Sequence, residues 1–151
     1  MQPIWMDGRT ERSWLDQADI VFDEYHLIDE RVQKEEAQKI IQHASVIFLL
    51  GGNPIEQNGL LMEYDLSELI KKSSAVVMGA SAGAINMSAK WLFCKYTGNK
   101  DELSSLSEKM NVYASNKDCA VRVKGDTIDI LGDVFFISNA EIQKLDEMHS
   151  L

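Results

Sequence analysis

The chain has 151 residues, a length that predicts one domain, residues 1–151, with a sizeable core. Apolar residues make up 45% and charged residues 26%, and 15 Lys and Arg stand against 24 Asp and Glu for a formal net charge of −9. That acidity argues against a nucleic-acid partner, and the longest aliphatic or aromatic run, Val46–Leu50, is far too short to span a bilayer.

No basic segment followed by an apolar one opens the chain, so no secretion signal is read there. Cys94 and Cys119 are isolated and lack C-x-x-C spacing. They fit a reducing, cytoplasmic setting and structural thiols, with no metal and no cofactor expected.

Residues 1–17 show no clean period, with one short helix expected over Thr10–Gln17. Trp5 and Trp14 in so polar a segment suggest a packing surface, for instance against another chain. Asp19–Asp23 reads as a short strand, followed by a charged loop that carries His26. A helix is predicted over Arg31–His43, with Ala37, Ile40, Ile41 and Ala44 forming one apolar stripe.

Ser45–Leu50 is the clearest strand, and it ends at Gly51-Gly52-Asn53-Pro54. Two glycines directly after a core strand let the backbone turn and leave amides exposed. They equally suit a plain strand-to-helix loop. One helix is predicted over Ile55–Lys72, with Met62, Leu66, Leu69 and Ile70 buried.

Ala75–Met78 is an apolar strand, and Ala82–Lys90 has good helix formers and no proline. Between them, Gly79-Ala80-Ser81-Ala82-Gly83 matches G-x-S-x-G, whose small residues let the backbone fold tightly around an exposed, strained serine. A Cβ at Gly79 or Gly83 would crowd strand against helix. Alternation of strand and helix predicts a parallel sheet covered on both faces. Ligands of such sheets bind outside the carboxyl ends of the strands, where the Gly51-Gly52 loop and Ser81 both fall.

Past Lys90 the pattern changes. Trp91–Tyr96 is apolar and ambiguous, and Thr97–Lys109 reads as a loop with a short helix. Short antiparallel strands are expected at Asn111–Ala114, Ala120–Lys124, Thr127–Leu131 and Val134–Ile137. Gly125-Asp126 and Gly132-Asp133 are hairpin signals, and Ser138 with Glu141 has capping-box spacing for a last helix over Asn139–Met148.

A strand ending in Gly51-Gly52-Asn53-Pro54, with Gln57 after it and then a Gly-x-Ser-Ala-Gly-Ala elbow, resembles the peptidase E and cyanophycinase family of serine peptidases. Val46–Leu92 carries the strong part of this likeness, and Gly132-Asp133-Val134-Phe135 looks like the family's tail. The resemblance implies an α/β three-layer sandwich with a mostly parallel sheet, class I glutamine-amidotransferase-like. It implies Ser81 as nucleophile, the Gly52 and Ala82 amides as oxyanion hole, and small acidic peptides, Asp-X dipeptides or aspartyl-linked polymers, as substrates. Set against the family, the chain looks short before Met1, where a first strand and helix are expected to be missing. On that truncated edge a homodimer is expected.

A serine also needs a base. The family places a histidine after the elbow in an Asp-x-His-Phe-like stretch, and no such stretch follows Ser81. His43 is expected at the amino edge of the sheet and His149 on a solvated terminal turn. His26, after a strand, is the candidate base on the carboxyl side, and a base from a second subunit is the other option. Asp101 and Asp118 are carboxylates that could orient a base. Two functions follow: a serine peptidase built on Ser81, or a catalytically impaired relative serving as a binding or scaffold module. An α/β-hydrolase esterase is disfavoured, since that fold needs more strands and a downstream histidine.

Overall fold

A computed structural model describes residues 9–87, 91–95, 100–115, 119–124, 127–145 and 148–150. Trp5, Asp118, the Gly125-Asp126 turn and the predicted end of the elbow helix at Lys90 lie outside the described residues. The chain divides into two compact units, Met1–Met87 and Ser88–Leu151.

The first unit holds α1 (Arg9–Gln17), α2 (Lys34–His43), β1 (Val46–Leu49), α3 (Pro54–Glu63), α4 (Leu66–Lys72), β2 (Val76–Gly79) and α5 (Ala82–Met87). β1 and β2 run parallel, with Val46 opposite Val76 and Leu49 opposite Gly79. Ala37 and Ile41 of α2, Ile47 of β1, Leu61 of α3 and Leu66 of α4 form the core.

The expected strand Asp19–Asp23 does not form. The residues are spent on ending α1: Asp19 adopts a left-handed φ of 57°, its amide donates to the Asp16 carbonyl at 3.1 Å, and the Ile20 amide donates to Leu15 at 2.9 Å. This double bond pattern is a Schellman cap. Val21 beyond it is 84% exposed, so the apolar run meets neither a sheet nor a core. The helix predicted from Arg31 begins at Lys34, because the Arg31 amide is held in a turn by Asp29 Oδ1 at 2.9 Å.

The helix predicted over Ile55–Lys72 is two helices. Asp65 has φ 54° and ψ 31°, which breaks the chain between α3 and α4. Side chains of α2 satisfy the break: Lys34 Nζ donates to the Glu63 carbonyl at 3.0 Å and to Asp65 Oδ2 at 2.5 Å, and Gln38 Nε2 donates to the Tyr64 carbonyl at 2.9 Å. The change of phase buries Leu61 with Leu66 and leaves Met62, predicted inside, 66% exposed.

The second unit contains β3 (Trp91–Lys95), α6 (Lys100–Ser107), β4 (Asn111–Ser115), β5 (Ala120–Lys124), β6 (Thr127–Leu131), β7 (Val134–Ser138), β8 (Glu141–Lys144) and β9 (Met148–Ser150). One sheet has the order β3-β4-β7-β8 and the other β5-β6-β9. β3 and β4 are parallel, joined through α6, and the remaining pairings are antiparallel.

Alternation along β4 sorts its side chains between two cores. Val112 and Ala114 join Leu103 of α6 and Ile137. Tyr113 joins Ile128, Ile130 and Val134, with Phe136 and Cys119 packed alongside.

Two expectations fail here. Gly132-Asp133 makes no hairpin; it carries the chain from β6 in one sheet to β7 in the other, with Gly132 at φ 80°. The last helix is replaced by β8 in a hairpin with β7, Ser138 opposite Glu141. Asn139 and Ala140 both have positive φ, 50° and 63°, the signature of a type I′ turn. The buried end of α6 fixes that turn: Ala140 N donates to Ser107 Oγ at 2.8 Å and Asn139 N to the Ser107 carbonyl at 3.1 Å. These tertiary bonds outweigh the capping-box spacing.

Candidate active site

β1 and β2 end side by side, and their in-register pairing, Leu49 opposite Gly79, sets the two following loops next to each other. After β1 the chain turns through Gly51-Gly52 into α3. Gly52 takes φ 134°, a backbone region closed to side chains, and a Cβ built there would meet nothing within 4 Å. Conformation alone requires glycine at this position. Asn53 caps α3, its Oδ1 accepting from the Ile55 amide at 2.9 Å and the Glu56 amide at 3.4 Å, and Pro54 starts the helix. Gln57 Nε2 donates back to the Leu50 carbonyl at 2.8 Å.

After β2 the chain makes the elbow. Ser81 is exposed and sits at φ 53°, left-handed for a residue with a Cβ. The turn is bonded to β1 through the Ala80 amide, 3.1 Å from the Leu49 carbonyl. The two elbow glycines answer to close approach. A Cβ on Gly83 would lie 1.9 Å from the Leu49 carbonyl oxygen, and one on Gly79 would lie 2.7 Å from the Gly83 carbonyl carbon. Thus α5 rests directly on the end of β1, with Ala82 only 1% exposed.

The Gly83 amide is used within the turn, donating to Ala80 at 3.0 Å. Among the described residues no acceptor is found for the amides of Gly52 or Ala82. These amides belong to the two loops that follow β1 and β2, and an unbonded backbone amide is the kind of donor that an oxyanion requires.

One polar residue bonded to the Gly51–Gln57 segment was missed from sequence. Asn86 of α5 donates through Nδ2 to the Pro54 carbonyl at 3.0 Å and to Gln57 Oε1 at 2.9 Å. A polar amide within the apolar run Ala82–Met87 was the available signal.

His26 and His43 each make a hydrogen bond of their own. His26 stands in irregular chain between α1 and α2, with Nε2 3.3 Å from Glu24 Oε2, so the strand that was to place it is absent. His43 ends α2, three residues before β1 as expected, with Nδ1 2.8 Å from the Lys39 carbonyl. His149 lies in β9 opposite Ile128 rather than on a terminal turn. Among the described residues neither His26 nor His43 hydrogen-bonds Ser81. Asp101 is an exposed residue of α6 in the second unit. Among the described residues no helix is long and apolar enough to cross a membrane.

Among known families, peptidase family S51 matches the chain over residues 9–110. That span takes in the Gly51-Gly52 loop, Gln57, the whole elbow and Asn86. No curated protein matches the chain.

Proposed function

The chain belongs to peptidase family S51, and from that premise we propose that it is a serine-type hydrolase of small acidic, aspartyl-containing peptides with Ser81 as nucleophile. The observation that carries this reading is the exposed Ser81 at φ 53°, at the carboxyl end of a parallel strand and next to a loop with open amides. Ser81 Oγ attacks the scissile carbonyl carbon while its proton passes to a base. The carbonyl π electrons move to oxygen, and the Gly52 and Ala82 amides donate to that oxyanion, each contributing about 3–4 kcal/mol to the barrier reduction as in comparable sites. Collapse expels the amine, which takes the proton, and water then cleaves the acyl-enzyme.

The base assigned within this chain is His26. Its Nε2 lies 3.3 Å from Glu24 Oε2, a contact that orients the ring and leaves Nδ1 as the atom to take the serine proton. The class I glutamine-amidotransferase-like layering belongs to the same proposal. It is supported by two parallel strand pairs, β1–β2 and β3–β4, each connected through helix.

A second reading, a catalytically impaired relative acting as a binding module, is favoured by the hydrogen bonds of His26 and His43, which go to groups other than Ser81. A fluorophosphonate probe separates the two. Labelling of the native chain at Ser81, lost in Ser81→Ala, is the result expected of an activated nucleophile. Absence of labelling across the pH range would leave the binding module as the surviving account.

A further inference from the structure

Two loops of different origin make the site, one after β1 and one after β2, and an oxyanion hole works only when its donors are held in place before reaction. Main-chain contacts at the elbow fix Ser81 and Ala82. The Gly51-Gly52 loop needs a separate restraint, because Gly52 has no side chain and meets nothing within 4 Å of its Cβ position.

We infer that Asn86, through Gln57, is a positioning residue that locks the Gly51–Asn53 loop to the elbow helix and so fixes the Gly52 amide relative to Ser81. This rests on the reading of Ser81 as nucleophile and deepens it.

The two carbonyls that bracket the loop, Leu50 before it and Pro54 after it, are both gripped by side-chain amides. Gln57 Nε2 holds Leu50 at 2.8 Å and Asn86 Nδ2 holds Pro54 at 3.0 Å. The two amides are joined by the bond from Asn86 Nδ2 to Gln57 Oε1 at 2.9 Å.

Donor and acceptor capacity permit one arrangement only. Both backbone carbonyls can only accept, so each must face an NH2 group. With Gln57 Nε2 turned to Leu50, its Oε1 faces Asn86, and both hydrogens of Asn86 Nδ2 are used. Reversing either amide would set oxygen against oxygen. All these groups are partly buried, so unmaking one bond leaves a partner poorly solvated. Asn86 lies on the helix whose first residue is Ala82, one residue past the nucleophile. The clamp therefore ties together the two amides assigned to one oxyanion.

The test uses the full chain with Asn86→Leu, Gln57→Leu and the double variant. Asn86→Asp, of equal size but with a carboxylate facing two acceptors, is a further variant should Asn86→Leu fold poorly. Two quantities are read well below each variant's Tm: the second-order rate of fluorophosphonate labelling at Ser81, and amide hydrogen exchange of the peptide covering Leu50–Gln57, whose Ile55, Glu56 and Gln57 amides are bonded to Asn53.

Each single variant is expected to slow labelling about tenfold and to speed loop exchange about tenfold, with the double variant no worse than the singles, as coupled members of one unit behave. Loop exchange as slow as in the native chain, or fully additive effects of the two substitutions, would overturn the clamp. If the native chain takes no label, the nucleophile reading falls, while the exchange measurement still decides the clamp by itself.

Discussion

Ser81 keeps a backbone conformation that a residue with a Cβ avoids, at a cost of about 1–2 kcal/mol. Replacing it with glycine removes that strain together with the hydroxyl. Ser81→Gly is therefore expected to gain about 1 kcal/mol in urea unfolding while losing all fluorophosphonate labelling. Equal or lower stability would mean that the elbow stores no strain. Gly83 presents the opposite case. Its missing Cβ is the room that the Leu49 carbonyl occupies, at 1.9 Å from where the atom would be. Gly83→Ala must push α5 off β1, and a loss of at least about 3 kcal/mol is expected in the free energy of urea unfolding, at the upper end of overpacking costs. The G-x-S-x-G spacing showed both requirements from sequence, because close approach and left-handed φ each restrict residue type. Asn86 stood out only as a polar residue in an apolar run, since nothing in an isolated asparagine reveals that a carbonyl 32 residues away is its partner.

Elements were legible where a local rule and a tertiary need coincide. β1 and β2 have continuous apolar runs, and both form, in parallel, as read. Elements failed where a local pattern had a competitor elsewhere in the fold. Asp19–Asp23 has strand-like residues, yet Asp19 and Ile20 are taken up in closing α1. The period across Ile55–Lys72 suggests one helix, yet Lys34 and Gln38 satisfy the carbonyls at a break and stabilise two. Ser138 and Glu141 have helix-cap spacing, yet Ser107 binds the turn between them in strand-hairpin form. Ala140 at φ 63° bears the cost of that choice. Ala140→Gly supplies the Asn-Gly pair favoured by type I′ turns and is expected to raise thermal stability by about 1 kcal/mol. A fall in Tm would argue that the hairpin is absent in solution.

For the whole molecule, stability against pH follows from groups whose ionisation differs between folded and unfolded chain. Burial pushes the Tyr113 hydroxyl up from its ordinary value. The native state thus favours the neutral phenol, and the unfolded chain releases its proton first. The stabilisation is complete below the unfolded pKa, about 10, and is lost as pH rises through the folded value. Unfolding free energy is expected to decline above about pH 10, and Tyr113→Phe to flatten that decline. An unchanged alkaline slope in the variant would assign the loss to other groups. At the acid end, the Arg31 guanidinium bonded to Asp29 holds that carboxyl below its usual range. The stabilisation is present above the unfolded carboxylate pKa and disappears as pH falls through the folded one. Both groups are near the surface, so the acid-side effect is the smaller.

What the sequence determined by itself is the part of the protein that rests on short-range necessity: two parallel strands, the glycines behind them, the serine between, and through these the family. Neighbours within a few residues of Ser81 impose those identities, so a window of the chain contains the information. Where the one predicted helix breaks into α3 and α4, how the strands from Asn111 onward pair, and which side chain bonds the Pro54 carbonyl were decided by tertiary structure alone. Each depends on hydrogen bonds between residues far apart in the chain, and a local pattern is silent about which distant donor will satisfy a given carbonyl.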